Sequence, residues 1–169
     1  MSACGSAAGT GAAPRTEGTP VHIALPAGPN PSSSAKMVCA REAQRELANV
    51  LGVSPVSPVS PTWVAHLYSC QYVYANGTIA LSVKEVSNRA QTTAYYDSLG
   101  QRLGRTGGLN GLGQGAYTTT NGDVVVRKDY KVLLVDISGL PPKFGVPATT
   151  SAEVAITVAD VIMGCWSGS

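Results

Sequence analysis

The chain has 169 residues, of which 44% are hydrophobic and 13% charged, and its formal net charge is +2. This length suits one domain of about 100 to 200 residues, and the apolar fraction is large enough for the chain to fold unaided. The weak charge and the lack of a basic run argue against nucleic acid as a partner. The longest apolar stretch, 154–163, is shorter than the roughly 20 residues that span a bilayer, so no membrane-crossing segment is predicted.

The N-terminus carries a motif that predicts lipidation. Residues 1–4, Met-Ser-Ala-Cys, reproduce the end of a bacterial lipobox, in which small residues precede the cysteine that becomes the lipidated N-terminus. The charged and apolar regions of a signal peptide would lie upstream of this motif. A chance Ser-Ala-Cys in a disordered tail is the alternative interpretation. We expect Cys4 to carry acyl chains and to anchor the protein on the outer side of the cell membrane.

The composition divides the chain into a tether and a domain. Residues 1–32 repeat Gly, Ala, Pro and Ser without a hydrophobic period, which is typical of a flexible tether. Within them, residues 21–25 are compatible with a short edge strand. Residues 33–169 are predicted to form a single α+β domain.

The domain is predicted to open with a helix and an extended connector. Between residues 34 and 51, apolar residues recur at steps of three and four and give one stripe, and Gly52 ends the helix. Residues 54–61 repeat a Ser-Pro-Val unit. Their three prolines exclude a helix and favour an extended surface connector.

Asn76-Gly77 predicts a β-hairpin between strands at 67–75 and 78–86, because both positions of the favoured turn need a positive φ. Counting outward from this turn gives the register and places the aromatic and aliphatic side chains on one core face. The predicted pairs are Tyr74 with Ile79, Tyr72 with Leu81, and Cys70 with Val83.

The second half of the domain is predicted to contain a helix, three strands and a final helix. Ser87 caps the helix, which ends at Gly104. Asn121-Gly122 marks a second hairpin between 116–120 and 123–127. The near-continuous apolar run at 131–137 indicates a central strand of the same sheet. A capping box at Thr150 and Glu153 then opens the last helix, which is apolar on most of its surface.

The order is therefore α-ββ-α-βββ-α, an α+β fold with an antiparallel sheet of about five strands and helices packed against it. Three motifs are similar to those of uncharacterised actinobacterial surface lipoproteins, which resemble the PsbP-like α+β fold. They are Val-Cys-Ala at 38–40 with Leu-Gly-Val at 51–53, Ser-Cys-Gln-Tyr at 69–72, and the glycine-rich 109–117 before a strand. The resemblance covers about 35–167 and implies the fold more than an activity.

Three cysteines, Cys39, Cys70 and Cys165, fall inside predicted elements, which agrees with an exported protein because disulfides persist in oxidising compartments. The resemblance implies that Cys39 pairs with Cys70 and leaves Cys165 as an extra thiol. A disulfide from Cys165 to either of the other two is the alternative.

No pattern of catalytic, metal-binding or cofactor-binding residues is found. The glycine-rich loop 104–115 leaves a helix and enters a strand, the reverse of a dinucleotide fingerprint, and it has no Walker motif. The histidines, His22 and His66, lack a second ligand at helical spacing, and no nucleophile has a base placed beside it. We predict no cofactor, no metal and no catalytic residue.

The densest set of functional groups lies at 127–131, between two predicted strands. We read it mostly as a solvated turn. The sharper hypothesis is that Arg127 and Lys131, with Tyr117 and the glycine-rich loop, form one rim of a recognition surface, because binding residues tend to lie on loops held by a rigid sheet.

The sequence thus predicts an extracytoplasmic lipoprotein that acts as a binding or accessory module at the cell envelope. Its expected partners are the membrane, through the lipid anchor, and an envelope protein, a cell-wall component or a small apolar ligand. An enzyme with an unrecognised active site and a structural subunit of an envelope complex are the alternatives.

Overall fold

A computed structural model describes residues 23–166 and shows an α+β domain built in three layers. The middle layer is an antiparallel sheet of seven strands in the order β1-β2-β3-β7-β6-β5-β4. The strands are β1 (Thr62–Val64), β2 (Leu67–Tyr74), β3 (Gly77–Glu85), β4 (Arg105–Leu109), β5 (Ala116–Thr119), β6 (Val124–Lys128) and β7 (Lys131–Gly139). The α+β class is confirmed, and the prediction of about five strands was too low.

Helices cover both faces of this sheet. On one face lie α1 (Ser33–Met37), α2 (Arg41–Leu51) and α4 (Ser151–Trp166), which share the larger hydrophobic core. On the other face lies α3 (Arg89–Leu103), whose Tyr96 and Leu99 pack on side chains of β5, β6 and β7. A small separate hairpin, β8 (Lys143–Phe144) and β9 (Thr149–Thr150), precedes α4.

The predicted first helix is two helices. The chain leaves the helical conformation at Ala40, whose ψ is 156°. The carbonyls just before this break accept hydrogen bonds from side chains: that of Val38 accepts the Tyr72 hydroxyl at 2.7 Å, and that of Cys39 accepts the Gln44 side-chain amide at 2.8 Å. The helical period of the apolar residues does not reveal this break, because the apolar stripe continues on both sides of it.

The caps of the later helices follow the sequence more closely. The capping box of α4 is confirmed: the Glu153 carboxylate accepts the Thr150 N–H at 3.0 Å, and the Thr150 hydroxyl accepts the Glu153 N–H at 3.3 Å. The N-cap of α3 is Asn88 rather than the predicted Ser87, since its side chain accepts the Gln91 N–H at 2.9 Å. An Asn side chain is at least as good as Ser in this role.

The β2–β3 hairpin exists, but its predicted register was wrong by two residues. Tyr74 pairs with Gly77, Tyr72 with Ile79 and Cys70 with Leu81. A shift of two leaves every side chain on its predicted face, so the core face is still the predicted one. Gly77 does not have a positive φ. Its role is close approach, because a Cβ there would lie 2.8 Å from the Gly139 carbonyl oxygen of β7.

The turns that do need positive φ at both central positions occur where no glycine marks them. Ala65 and His66 have φ of 50° and 60°, and Asp129 and Tyr130 have φ of 51° and 61°. They join β1 to β2 and β6 to β7, as two-residue hairpin loops of this kind do. Without Gly at Ala65-His66, and with β1 directly after a proline-rich segment, the sequence analysis missed β1.

The prediction also missed β4, because its glycines were read as a loop. Arg105–Leu109 pairs with β5 instead and forms an edge strand, with a register shift between Arg105 and Gly107. By contrast, the central strand was predicted correctly. β7 lies between β3 and β6 and is buried along most of its length.

The disulfide between Cys39 and Cys70 is present, with Cα atoms 6.1 Å apart, so that pairing is confirmed. It joins the turn before α2 to strand β2, and both cysteines are buried. Cys165 is disulfide-bonded as well, and the described residues include no free cysteine. The predicted spare thiol and the alternative pairing of Cys165 with Cys39 or Cys70 were therefore wrong.

Two buried tyrosines on the same face of β2 provide a matched test of the core. The Tyr72 hydroxyl donates to the Val38 carbonyl at 2.7 Å, whereas the buried Tyr74 hydroxyl has no partner among the described residues. We expect Tyr72→Phe to lower the free energy of unfolding by about 1 kcal/mol, and Tyr74→Phe to leave it unchanged or raise it slightly at neutral pH. Urea unfolding of the two variants measures this difference.

The contribution of Tyr74 to stability should change at alkaline pH. Burial raises the pKa of Tyr74 to about 12, compared with about 10 in an unfolded chain. The stability that depends on the protonated phenol is therefore present below pH about 10 and lost as the pH rises towards about 12. Tyr74→Phe should remove its share of this loss, and an alkaline unfolding profile identical to that of the parent protein would contradict the assignment.

Candidate functional site

The β6–β7 turn lies at the centre of the candidate site. Its two residues, Asp129 and Tyr130, line two neighbouring cavities, and Ala24 of the N-terminal segment lines both as well. One cavity, here called the polar cavity, has a volume of about 420 Å³; the other, the terminal cavity, has about 440 Å³. Both volumes are in the range of small-molecule sites.

The polar cavity lies between the start of α3, the glycine-rich loop and the turn. Most of its side chains carry hydrogen-bond donors. Besides Ala24, Asp129 and Tyr130, it is lined by Arg89, Thr92, Thr93, Gln114 and Arg127.

The terminal cavity lies between the segment 23–34, the same turn and the last residue of α4. Ile23, Leu25 and Pro26 give it an apolar wall, and Trp166 lines it. Glu85, Lys128 and Lys131 contribute charge from the sheet. The two cavities together thus offer a polar compartment beside a partly apolar one.

Arg127 is the central group of the polar cavity. It is half-buried on β6, and its Nη1 donates to the Thr93 hydroxyl at 3.2 Å. Its guanidinium lies over the Tyr96 ring, 5.1 Å from the ring centroid. The buried Nε has no acceptor among residues 23–166, and no described carboxylate forms an ion pair with Arg127.

Two stacked tyrosines, Tyr96 and Tyr117, support the Arg127 guanidinium on the side that faces the core. Tyr96 and Tyr117 meet edge to face with centroids 4.7 Å apart, and the Tyr117 hydroxyl donates to the Tyr96 carbonyl at 2.7 Å. Arg105 lies over both rings from the strand β4. Burial raises the pKa of Tyr117 well above its usual value, so the phenol is neutral and the stack acts as a support for the cation.

The three residues of the predicted rim lie in different surroundings. Arg127 lines the polar cavity and Lys131 the terminal one. Tyr117 is fully buried beneath them and lines neither cavity. Lys131 is only 8% exposed, and its Nζ donates to the Asp129 carbonyl at 3.2 Å. Arg127 and Lys131 therefore lie on either side of the Asp129-Tyr130 turn, whereas Tyr117 is a buried core residue under Arg127 and not part of an exposed rim.

Glu85 ties the N-terminal segment to the sheet at the other side of the turn. Its carboxylate is buried and accepts both the Ser32 hydroxyl and the Ser32 N–H. Further along the segment, the Ala27 N–H donates to the Val86 carbonyl at 3.1 Å. These bonds hold part of the predicted tether against the domain as a wall of the terminal cavity.

Gln114 is the contribution of the glycine-rich loop. Its side-chain amide donates to the Asp129 carboxylate at 3.0 Å and accepts the Asp129 N–H at 3.2 Å, while its own N–H donates to the Arg127 carbonyl at 2.8 Å. Sequence reasoning singled out the loop but not this residue, nor Arg89 or Thr93. No sequence spacing connects these residues, because they meet only where α3 and the glycine-rich loop come together beside the β6–β7 turn.

Two glycines, Gly113 of the loop and Gly108 of β4, differ in how closely the backbone of the rest of the protein approaches them. A Cβ on Gly113, where φ is +54°, would lie 2.7 Å from the Arg127 carbonyl oxygen, whereas a Cβ on Gly108 would meet nothing within 4 Å. We expect Gly113→Ala to cost at least about 1 to 2 kcal/mol of stability, since the left-handed conformation alone costs that much. Thermal unfolding of the variant measures this cost.

Gly108→Ala is the matched control, and its effect should stay within about 0.5 kcal/mol. Equal destabilisation by the two alanines would show that the loop does not press against the turn at Gly113.

Other chemistry is sparse in the part of the chain that the structure describes. No group of three or more His, Cys, Asp or Glu side chains could hold a metal ion there. His66 is exposed and packs edge to face on Trp63, with ring centroids 5.6 Å apart. None of the helices within 23–166 is sufficiently long and apolar to span a bilayer. Cys4 and His22 lie outside the described residues.

Comparison of the chain with protein-family models, curated proteins and solved structures found no match. The resemblance to actinobacterial lipoproteins of PsbP-like fold therefore stays a prediction. What the chain does has to be inferred from its own residues.

Proposed function

We propose that this protein is an extracytoplasmic binding module of a bacterial envelope, and that its binding site is the pair of cavities around the Asp129-Tyr130 turn. The observation that carries this proposal is the half-buried Arg127 at a cavity of ligand size, without an ion-pair partner among the described residues. An interior charge normally has a partner within the protein, so an exception at a cavity indicates a place for an outside partner.

The disulfides support a location outside the cytoplasm. Cys39 and Cys70 are bonded, and Cys165 is in a disulfide too. Structural disulfides are rare in reducing compartments and common in exported proteins. The Cys39–Cys70 bond closes a loop with a sequence separation of 31 residues, which stabilises the fold by about 3 to 4 kcal/mol in the chain-entropy account.

The titratable groups favour binding over catalysis. Active sites are enriched in groups with strongly shifted pKa values. Among the described residues the largest upward pKa shifts belong to Tyr72, Tyr74 and Tyr117, and burial is the first cause of each. All three are core side chains that line neither cavity, so these shifts report packing.

A photoreactive amino acid at Tyr130 tests the proposed site. Replacing Tyr130 with p-benzoyl-phenylalanine keeps an aromatic side chain between the two cavities. Irradiation of intact bacterial cells that export the full chain should give a discrete cross-linked product or a ligand adduct, detected by gel shift and mass spectrometry.

The control carries the same amino acid at Arg45, whose side chain is 74% exposed on α2 and which lines neither cavity. Equal adduct formation from both positions, or none from Tyr130, would refute the proposed site.

The anchor at Cys4 is a second part of the proposal, and it has a chemical competitor. Cys4 is the only cysteine of the chain besides Cys39, Cys70 and Cys165. Because Cys39 and Cys70 bond to each other, the partner of Cys165 lies outside the described residues. A sulfur that carries a lipid thioether cannot also form a disulfide, so lipidation and a bond to Cys165 exclude each other.

Intact-mass and non-reducing peptide analysis of the full chain, expressed with its native upstream sequence, distinguishes these two states of Cys4. Lipidation predicts an acylated N-terminal peptide that incorporates a fatty-acid probe. A peptide in which Cys4 is linked to Cys165 would refute the lipid anchor and leave the binding module as an exported protein without it.

A further inference from the structure

We infer that the polar cavity binds an oxyanion group, a phosphate or a carboxylate of a small molecule, with Arg127 as its main ligand and Arg89 as its second cation. This inference rests on the proposed binding function and names the chemistry of its ligand. Four features of the cavity carry it: the charge of Arg127, the donors around it, the position of the carboxylate beside it, and the neighbouring apolar wall.

Arg127 has unused hydrogen-bonding capacity. A guanidinium has five N–H donors and no acceptor. Among the described residues the Arg127 guanidinium makes only one hydrogen bond, from Nη1 to the Thr93 hydroxyl. The Tyr96 ring on one side gives the cation a weak attraction and a fixed plane. A fixed planar fork without a carboxylate is the group that binds carboxylate or phosphate in two-point geometry.

The surrounding side chains are mostly donors. Arg89 lines the cavity and has no ion pair with any described residue. The Thr93 hydroxyl accepts from Arg127 and keeps its own proton for another acceptor. Tyr130 adds a phenol. The Thr92 hydroxyl already donates to the Asn88 carbonyl, at 2.9 Å, so it is a wall of the cavity.

Among residues 23–166, Asp129 is the only acidic residue that lines the polar cavity, and the glycine-rich loop binds its side chain. Its carboxylate accepts the Gln114 amide at 3.0 Å. It forms no ion pair with Arg127 among the described contacts. The described residues that line the cavity carry two formal positive charges and one negative charge, a balance that favours an anion.

The lining of the neighbouring terminal cavity indicates the chemistry of the rest of the ligand. It shares Ala24, Asp129 and Tyr130 with the polar cavity, and Ile23, Leu25 and Pro26 form its apolar wall. A ligand with an anionic group and an apolar part can therefore bind across the turn. A small apolar ligand was one of several partners predicted from the sequence, beside an envelope protein and a cell-wall component. The two arginines add an acidic group to such a ligand.

A titration with inorganic phosphate, followed by two-dimensional ¹H–¹⁵N NMR, tests the anion site. The probes are phosphate and acetate, each added to the purified chain at constant ionic strength with chloride as reference. The buried Nε–H of Arg127 gives a signal that Arg127→Gln identifies by its loss. We expect at least one oxyanion, but not chloride, to shift this signal and the amides of Thr93 and Gln114 saturably.

Three variants complete the test. Arg127→Gln should weaken binding about tenfold or more, because a charge-assisted bond is lost, and Thr93→Val should weaken it while keeping the cation. Arg105→Gln is the matched control, since Arg105 stacks on the same Tyr96 ring, 5.5 Å from its centroid, but lines neither cavity. It should bind the anion as the parent protein does.

The inference is overturned if neither phosphate nor acetate gives a saturable shift, or if Arg105→Gln weakens binding as much as Arg127→Gln. Unchanged signals from α4 in each variant show that the fold is intact. The cross-linking at Tyr130 reports any occupant, whatever its charge. Adducts there without an anion response would refute the oxyanion site and leave the binding function standing.

Discussion

Burial of β7 on both faces is the constraint on which the rest of the structure depends. Leu133, Val135 and Ile137 point into the core shared with α4, and Val132 points into the cluster under α3. A strand with both faces apolar must have helices on both sides and neighbours along both edges. The seven-stranded sheet satisfies this with β3 and β6 as neighbours, and the remaining strands extend it outward.

The candidate site follows from the way β7 begins. The Asp129-Tyr130 turn feeds directly into this buried strand, so its backbone is held by the pairing of β6 and β7. Two chain segments then close over the turn, the glycine-rich loop through Gln114 and the N-terminal segment through Ser32 and Glu85. The cavities form where these segments meet the turn, and binding residues are commonly found on loops that a rigid sheet positions. Arg127 lies on β6, just before the turn, with its guanidinium over the Tyr96 ring.

The parts of the fold that were predicted correctly are those specified by residues close together in the chain. The capping box at Thr150 and Glu153, the helix-ending Gly52 and Gly104 and the apolar run of β7 each act within a few residues. The errors share another cause. Gly77 was assigned a positive φ on local grounds, but it makes room for Gly139 of β7. The first helix breaks because the Val38 carbonyl bonds Tyr72, a residue 34 positions away.

By itself, then, the sequence determined that this is an α+β domain with a buried central strand, two hairpins near their predicted places and cysteines suited to a disulfide. It also pointed to the turn at 127–131, because charged and aromatic residues are concentrated there. Only the tertiary structure decided which side chains share that turn. Arg89, Thr93 and Gln114 come from a helix and a loop, and they meet Arg127 because α3 packs on β6 and the loop folds back on the turn. A cavity is a property of elements brought together by core packing, and no local pattern records it.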